Sequence, residues 1–240
     1  MLILATALCL WGPSPVKLIK QHGATCLPAS AAMVLGTLGA PVSARQLAKE
    51  LPMYSDGTGF FDLQNELQRR HFLTHVFQGK RSEIRAALRA GLAMIVALDD
   101  GAGRHAVVVA ALTGCGAADE RFELLDPRGP SRRTVSAVEL EQQLSVNQML
   151  LVFRPSHRPA LAREKFPLKR TAQQNRRFRA SAWLRRAARH KRPNAQRLAL
   201  VRRAVAEDPC WPKVQTVLRE NLRALKLPKE QAPKACGSGQ

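Results

Sequence analysis

The chain has 240 residues, 45% of them hydrophobic, which supports a core sufficient for one large domain or for a domain of about 150 residues with an appendage. Its net charge of +20 is unevenly spread: residues 154–240 hold 23 Lys+Arg against 5 Asp+Glu, leaving 15 against 13 for residues 1–153. Cysteines at 9, 26, 115, 210 and 236 follow no pairing or CxxC pattern, which argues against a disulfide framework and a zinc site, and no apolar run reaches the ~20 residues of a membrane-spanning helix.

Residues 1–14 form an apolar N-terminal segment that reads in two ways. Leu2 to Trp11 has the length of a signal-peptide apolar region, but no Lys or Arg precedes it, and Ala5-Thr6-Ala7 falls too early for an ordinary cleavage site. The compartment follows that choice: periplasmic or secreted if residues 1–12 act as a signal, cytoplasmic otherwise.

Helices dominate the next stretch. Residues 26 to 38 have a helical pattern with Pro28 in the first turn and Gly36 and Gly39 near the end. Ser43-Ala44-Arg45-Gln46 fits a capping box opening a second helix through Leu51. A third follows the Asp56-Gly57-Thr58-Gly59 turn with Leu63 and Leu67 facing inward, and a fourth covers Ser82 to Ala90, stopped by Gly91. Between them, His71 and His75 are four apart, but the flanking residues suggest a helix end entering a strand rather than a metal-binding helix face.

From residue 92 the character changes. LAMIVAL (92–98), HAVVVAAL (105–112), FELLD (122–126) and QMLLVF (148–153) are short apolar or β-branched runs bounded by Gly, Asp and Pro turns, as strands of a mostly antiparallel sheet are. Helices followed by strands imply an α+β domain over residues 15–153, with the early helix packed on the sheet.

Beyond it, residues 154–170 carry three prolines and few periodic apolar positions and read as a linker. Residues 171–227 have helical spacing in three stretches (171–190, 194–207 and 211–226). Trp183, Leu184, Leu198, Val201, Val205, Val214, Val217, Leu218 and Leu222 are expected to face inward. Residues 228–240 read as a disordered tail. The basic charge of residues 171–227 suits an acidic protein partner or an anionic surface; nucleic acid is less favoured, because no zinc-finger, RRM or KH signature appears and aromatic residues are few.

One constellation carries chemistry. Cys26 stands at the expected helix start, where unpaired N–H groups and the macrodipole favour a thiolate. His105 opens a strand after the DDGAGR turn, where a solvent-accessible ring at a sheet end could serve as base. Asp126 ends the next strand; if the two strands form a hairpin, both residues lie at its turn-distal end, and a carboxylate there would fix the imidazole. Gln21, five residues before Cys26, offers an amide to the oxyanion of a tetrahedral intermediate together with the Cys26 backbone N–H. Each has a plainer reading: a packed cysteine, a structural histidine, a turn aspartate, a polar loop residue. Cys115, in a Gly-rich turn, reads as an ordinary exposed thiol.

QHGATCLPASAAMVLGTLG, followed downstream by GRHAVVVAAL and then LLDPRGP, resembles the papain-like cysteine peptidases of the C39 type, also called double-glycine peptidases. The resemblance spans roughly residues 15 to 153 and implies a papain-like fold and peptide-bond hydrolysis without metal or organic cofactor. It implies Cys26 as nucleophile, His105 as base, Asp126 as orienter and Gln21 as oxyanion-hole donor, acting on a peptide or protein substrate. Two departures stand out. Leu27 occupies a position where many members have Gly, and neither membrane helices nor a Walker motif accompany the domain, so the chain looks like a stand-alone relative. The piece LVRRAVAEDPCWPKVQTVLRENL resembles one degenerate tetratricopeptide-type helix pair. Two alternatives follow: a peptide-binding module that keeps the fold without the chemistry, which Leu27 favours, and a basic adaptor acting through residues 171–227.

Overall fold

In the computed structural model the chain divides into two units, residues 1–167 and 168–240, each with its own buried apolar residues. The structure describes residues 10–13, 15–53, 57–99, 104–114, 119–129, 131–168, 176, 179–180, 183–184, 187, 193–209 and 212–227. Residues 1–9, Asp56, Cys115 with its turn, Cys210, and the tail from residue 228 lie outside the described residues.

The first unit is built around α1 (Cys26–Thr37). Every residue from Leu27 to Leu35 is buried, so the helix is covered nearly all round. Its end follows from local chemistry: Gly39 adopts φ 69°, a left-handed conformation that costs glycine little, and lets the Leu38 and Ala40 N–H groups return to Leu35 O. α2 (Ala44–Glu50) starts at Ser43, whose Oγ accepts from Gln46 N at 3.0 Å. α3 (Phe60–Arg69) buries Leu63 and Leu67 completely, and α4 (Arg81–Arg89) stops at Gly91, φ 77°. The four expected helices are thus present, with ends shifted by a residue or two.

Among the described residues seven antiparallel strands make the sheet: β1 (Leu10–Trp11), β2 (Leu73–Gln78), β3 (Met94–Asp99), β4 (Arg104–Thr113), β5 (Arg121–Asp126), β6 (Ser131–Ser136) and β7 (Leu144–Phe153). Six run in the order β2-β7-β3-β4-β5-β6, with β1 pairing separately with β4. The near-continuous apolar runs of β3 and β4 fit their central place, buried on both faces. The helices pack on this sheet, α1 against β3 and β4, giving the α+β architecture expected from the sequence.

Some elements were not legible. β6 is the polar edge strand SRRTVS, in which only Val135 is buried, so the alternation that marks a strand is nearly missing. α5 (Ala137–Gln143) is too short for a periodic pattern and is held by a Ser136/Glu139 capping box. At the N-terminus, Leu10 and Trp11 pair with Thr113 and Leu112, and the Arg89 guanidinium lies 4.7 Å from the Trp11 ring centroid. The stretch from 154, expected as a linker, carries a 3₁₀ turn (Pro155–His157) and α6 (Arg158–Arg163). Leu161 and Phe166 are buried, and Phe166 packs edge-on against Phe77. His75 stacks on Phe77 within β2, while His71, φ 63°, closes α3.

In the second unit, α7 (Ala195–Glu207) begins at Asn194, whose Oδ1 accepts from Arg197 N at 2.8 Å, and α8 (Pro212–Ala224) follows. Residues 176, 179–180, 183–184 and 187 are helical as well. Ala180, Leu184, Ala187, Leu198, Val201, Ala204, Val214, Leu218 and Leu222 form its core, with Trp183, Val205 and Val217 partly buried against it. All nine positions expected to face inward are among these residues. Among the described residues no helix is long and apolar enough to cross a membrane.

Candidate active site

The thiol of Cys26 owes its position to the way α1 begins. Thr25 stands at the N-cap, but its side chain does not cap the helix. Its Oγ1 instead accepts from His22 N at 3.0 Å and donates to His22 O at 2.9 Å, closing the loop of residues 22–25 on itself. No acidic residue occupies the first turn. The orphan N–H groups of the helix start therefore remain available to an anion, and the Leu27 N–H is one of the groups that lower the Cys26 thiol. Cys26 itself is only half-buried and is free of any disulfide, so it stays accessible at the helix start. Leu27, which sequence comparison singled out, is 2% exposed and packs into the core.

His105 lies near the start of β4, opposite Leu98 of β3. β4 and β5 form the expected hairpin with Val108 opposite Leu125. One further step along that register sets Asp126 beside Val107, diagonal to His105 on the same face, a separation that side chains can bridge. They do: His105 Nε2 is 2.6 Å from Asp126 Oδ1. The carboxylate is fixed in turn by Arg128 N–H, which donates to the same oxygen at 2.8 Å. The ring is not open to solvent, as its place at a strand end had suggested; it is 3% exposed, because α1 covers that end of β4.

The two ring nitrogens have different surroundings. With Nε2 facing a carboxylate, it carries the proton, while Nδ1 is buried and has no hydrogen-bond partner among the described residues. The electrostatics agree. Burial pushes the Cys26 thiol up, but the hydrogen bond with His105, the Ala106 and Leu27 N–H groups and the His105 charge together bring it below the ordinary thiol value. Burial likewise pushes His105 down, and its bonds and charge interactions with Cys26 and Asp126 outweigh that, so it ends above the ordinary imidazole value. A lowered thiol and a raised imidazole both favour the thiolate and imidazolium forms.

Gln21 sits in the loop before α1, tied to the turn after Asp126 by a hydrogen bond from its backbone N–H to Pro127 O at 2.8 Å. Its side-chain Nε2 donates to Gly23 O at 2.8 Å, which fixes the amide orientation and uses one of its two hydrogens. Its Oε1 is buried and has no partner among the described residues. Another residue of the site was not singled out from the sequence. Ser30, one helical turn after Cys26, is 0% exposed and donates from Oγ to Ala106 O at 3.1 Å. A polar residue at the i+4 position of a candidate nucleophile, inside an otherwise apolar helix, was the available signal.

Comparison with known proteins agrees with this architecture. The peptidase domain of Streptococcus ComA, a bifunctional ABC transporter of a quorum-sensing pathway, superposes with a TM-score of 0.50 at 17% identity, covering 58% of this chain and 99% of that one. A double glycine motif protease from an AMS/PCAT transporter, in complex with the leader peptide, gives a TM-score of 0.47 at 18% identity over 59% of this chain and 93% of that one. No curated protein sequence matches the chain significantly. The profile of the peptidase C39 family matches residues 16–157, more than half of the sequence and the whole of the sheet from β2 to β7, and the chain therefore belongs to the peptidase C39 family.

Proposed function

We propose that the first unit is an active cysteine peptidase in which Cys26 is the nucleophile, His105 the general base and acid, Asp126 the orienting carboxylate and Gln21 an oxyanion-hole donor. The observation that carries the reading is the relay from Asp126 Oδ1 through His105 Nε2, at 2.6 Å, to a histidine Nδ1 left for a half-buried thiol at a helix start. Family membership supports a peptide as substrate, with double-glycine leader sequences the first class to try.

The chemistry follows from those positions. The Cys26 thiolate attacks the scissile carbonyl carbon, and the carbonyl π pair moves onto oxygen. The Cys26 backbone N–H and the remaining hydrogen of Gln21 Nε2 are the donors for that charge, which exists fully only in the intermediate. His105, as imidazolium, gives its Nδ1 proton to the departing amine, and the C–N bond breaks to leave a thioester. Neutral His105 then takes a proton from water; hydroxide adds to the thioester, the C–S bond breaks, and the acid product leaves with the thiolate restored. Throughout, Asp126 holds Nε2–H and stabilises the charged ring.

A module that binds peptides without cleaving them is the weaker reading. Leu27, the residue that favoured it, is buried in the core. The deciding experiment incubates the full chain with a Gly-Gly leader-peptide library under reducing conditions and compares it with Cys26→Ala. Cleavage by the native chain and none by the variant is the expected result. Equal cleavage by both, or a metal-dependent and alkylation-insensitive activity, would remove the proposal.

A further inference from the structure

Antiparallel strands satisfy each other's backbone groups only where they overlap, and β4 outruns its neighbour. On the β3 side its ladder extends from Arg104 to Val109, whereas on the β5 side the register begins at Val108. The stretch before Val108 therefore presents backbone groups on the β5 side with no strand to receive them, in a part of the molecule where Ala106 is buried. Unmatched groups there would be costly.

Helix α1 takes the place of the missing strand. Ser30 Oγ donates to Ala106 O at 3.1 Å, a bond between residues 76 apart in sequence, and the Ala106 backbone N–H is one of the groups that lower the Cys26 thiol. Cys26 and Ser30 are four apart on α1, the spacing that puts them on one face a turn apart, so the residue after His105 is bonded to the same helix face that carries the thiol. A buried serine within a helix ordinarily bonds back to the carbonyl of its own preceding turn; this one reaches the sheet instead.

We propose that Ser30 is a positioning residue of the thiol site: by holding the Ala106 carbonyl, it fixes the strand residue beside His105 against the first turn of α1 and so sets the distance and angle at which Cys26 and His105 meet. The proposal rests on the reading of Cys26 and His105 as a working pair. It assigns Ser30 no contact with substrate. Its removal would leave the Ala106 carbonyl unmatched and release the strand from the helix at the point where the pair is assembled.

The test is the rate of iodoacetamide alkylation of Cys26 against pH in the full chain, located by peptide mass spectrometry, in native protein, Ser30→Ala and His105→Ala, with thermal unfolding recorded for each. The expected result is that Ser30→Ala unfolds cooperatively yet reacts roughly 3- to 10-fold more slowly at pH 7, the size of one hydrogen bond's net contribution, with its profile displaced toward that of His105→Ala. A profile that superimposes on the native one, with only the unfolding temperature lowered, overturns the proposal and leaves the Cys26–His105 reading intact. Identical profiles for native protein and His105→Ala overturn that reading and this proposal with it. Should Ser30→Ala fail to fold, Ser30→Cys keeps the volume but donates only weakly through S–H, and the same displacement is expected of it.

Discussion

The two units solve the problem of a stable core differently, and the difference separates chemistry from charge. The first unit buries a helix almost completely against a sheet and carries polar groups into that interior: Ser30 and His105 are both buried and both bonded across elements. The second packs its helices through alanine, valine and leucine, with Asp208 and Asn221 also buried, and among its described cations Arg179 pairs with Glu207 at 3.2 Å and the Arg203 guanidinium lies 5.1 Å from the Trp183 ring centroid. A buried polar network demands a fixed geometry and suits a reaction; a solvated basic face does not. Dissecting the chain should therefore break the units apart in function.

The largest effect is expected at the thiol. Cys26→Ala should lower peptide cleavage at least ~10³-fold while leaving the thermal unfolding of the chain near native, since the side chain is only half-buried. His105→Ala should do the same to cleavage and also slow alkylation at neutral pH. Asp126→Ala should cost roughly 10- to 100-fold in cleavage, because the ring keeps its place in β4 but loses the carboxylate that holds its Nε2–H.

The pH profile sharpens this. Lowering Cys26 and raising His105 both widen the pH range in which thiolate and imidazolium coexist, so activity should be bell-shaped. Its acid limb marks protonation of the thiolate and its alkaline limb loss of the imidazolium proton. Asp126 is one of the groups that raise His105, so in Asp126→Ala the alkaline limb should move to lower pH. An unmoved limb would show that Asp126 does not tune the pair.

Smaller and confined to the second unit is Leu218→Ala, which should destabilise that unit by about 2–4 kcal/mol through cavity formation. Cys26 alkylation should not change. The smallest effect is expected from ending the chain after Pro167: alkylation and cleavage should stay within a factor of about two of native. An end at Arg154 is a different matter. It would remove Leu161 and Phe166 from the first unit's interior, and loss of stability is expected.

Where the sequence could be read, long periodic segments carried the information. α1, β3 and β4 were legible because their apolar runs are nearly unbroken, α3 because Leu63 and Leu67 stand four apart after a Gly-rich turn, and α2 because Ser43 and Gln46 mark its start. β6 was not, because an edge strand with one buried side chain resembles a loop. The stretch from 154 misled because prolines that open a helical turn look like those of a linker until Leu161 and Phe166 find the core.

By itself the sequence determined the α+β order and the inward face of the basic helices, and it marked Cys26, His105, Asp126 and Gln21 as candidates for one site. These are properties of residue kind and local spacing, which the chain carries before it folds. Only the tertiary structure decided that His105 is buried rather than open, that its Nε2 meets Asp126, and that Leu27 belongs to the core. It alone decided that Ser30 joins α1 to β4. Such facts depend on where β5 stops short of β4 and which helix fills the gap, and pairing between residues 76 apart leaves no mark on local pattern.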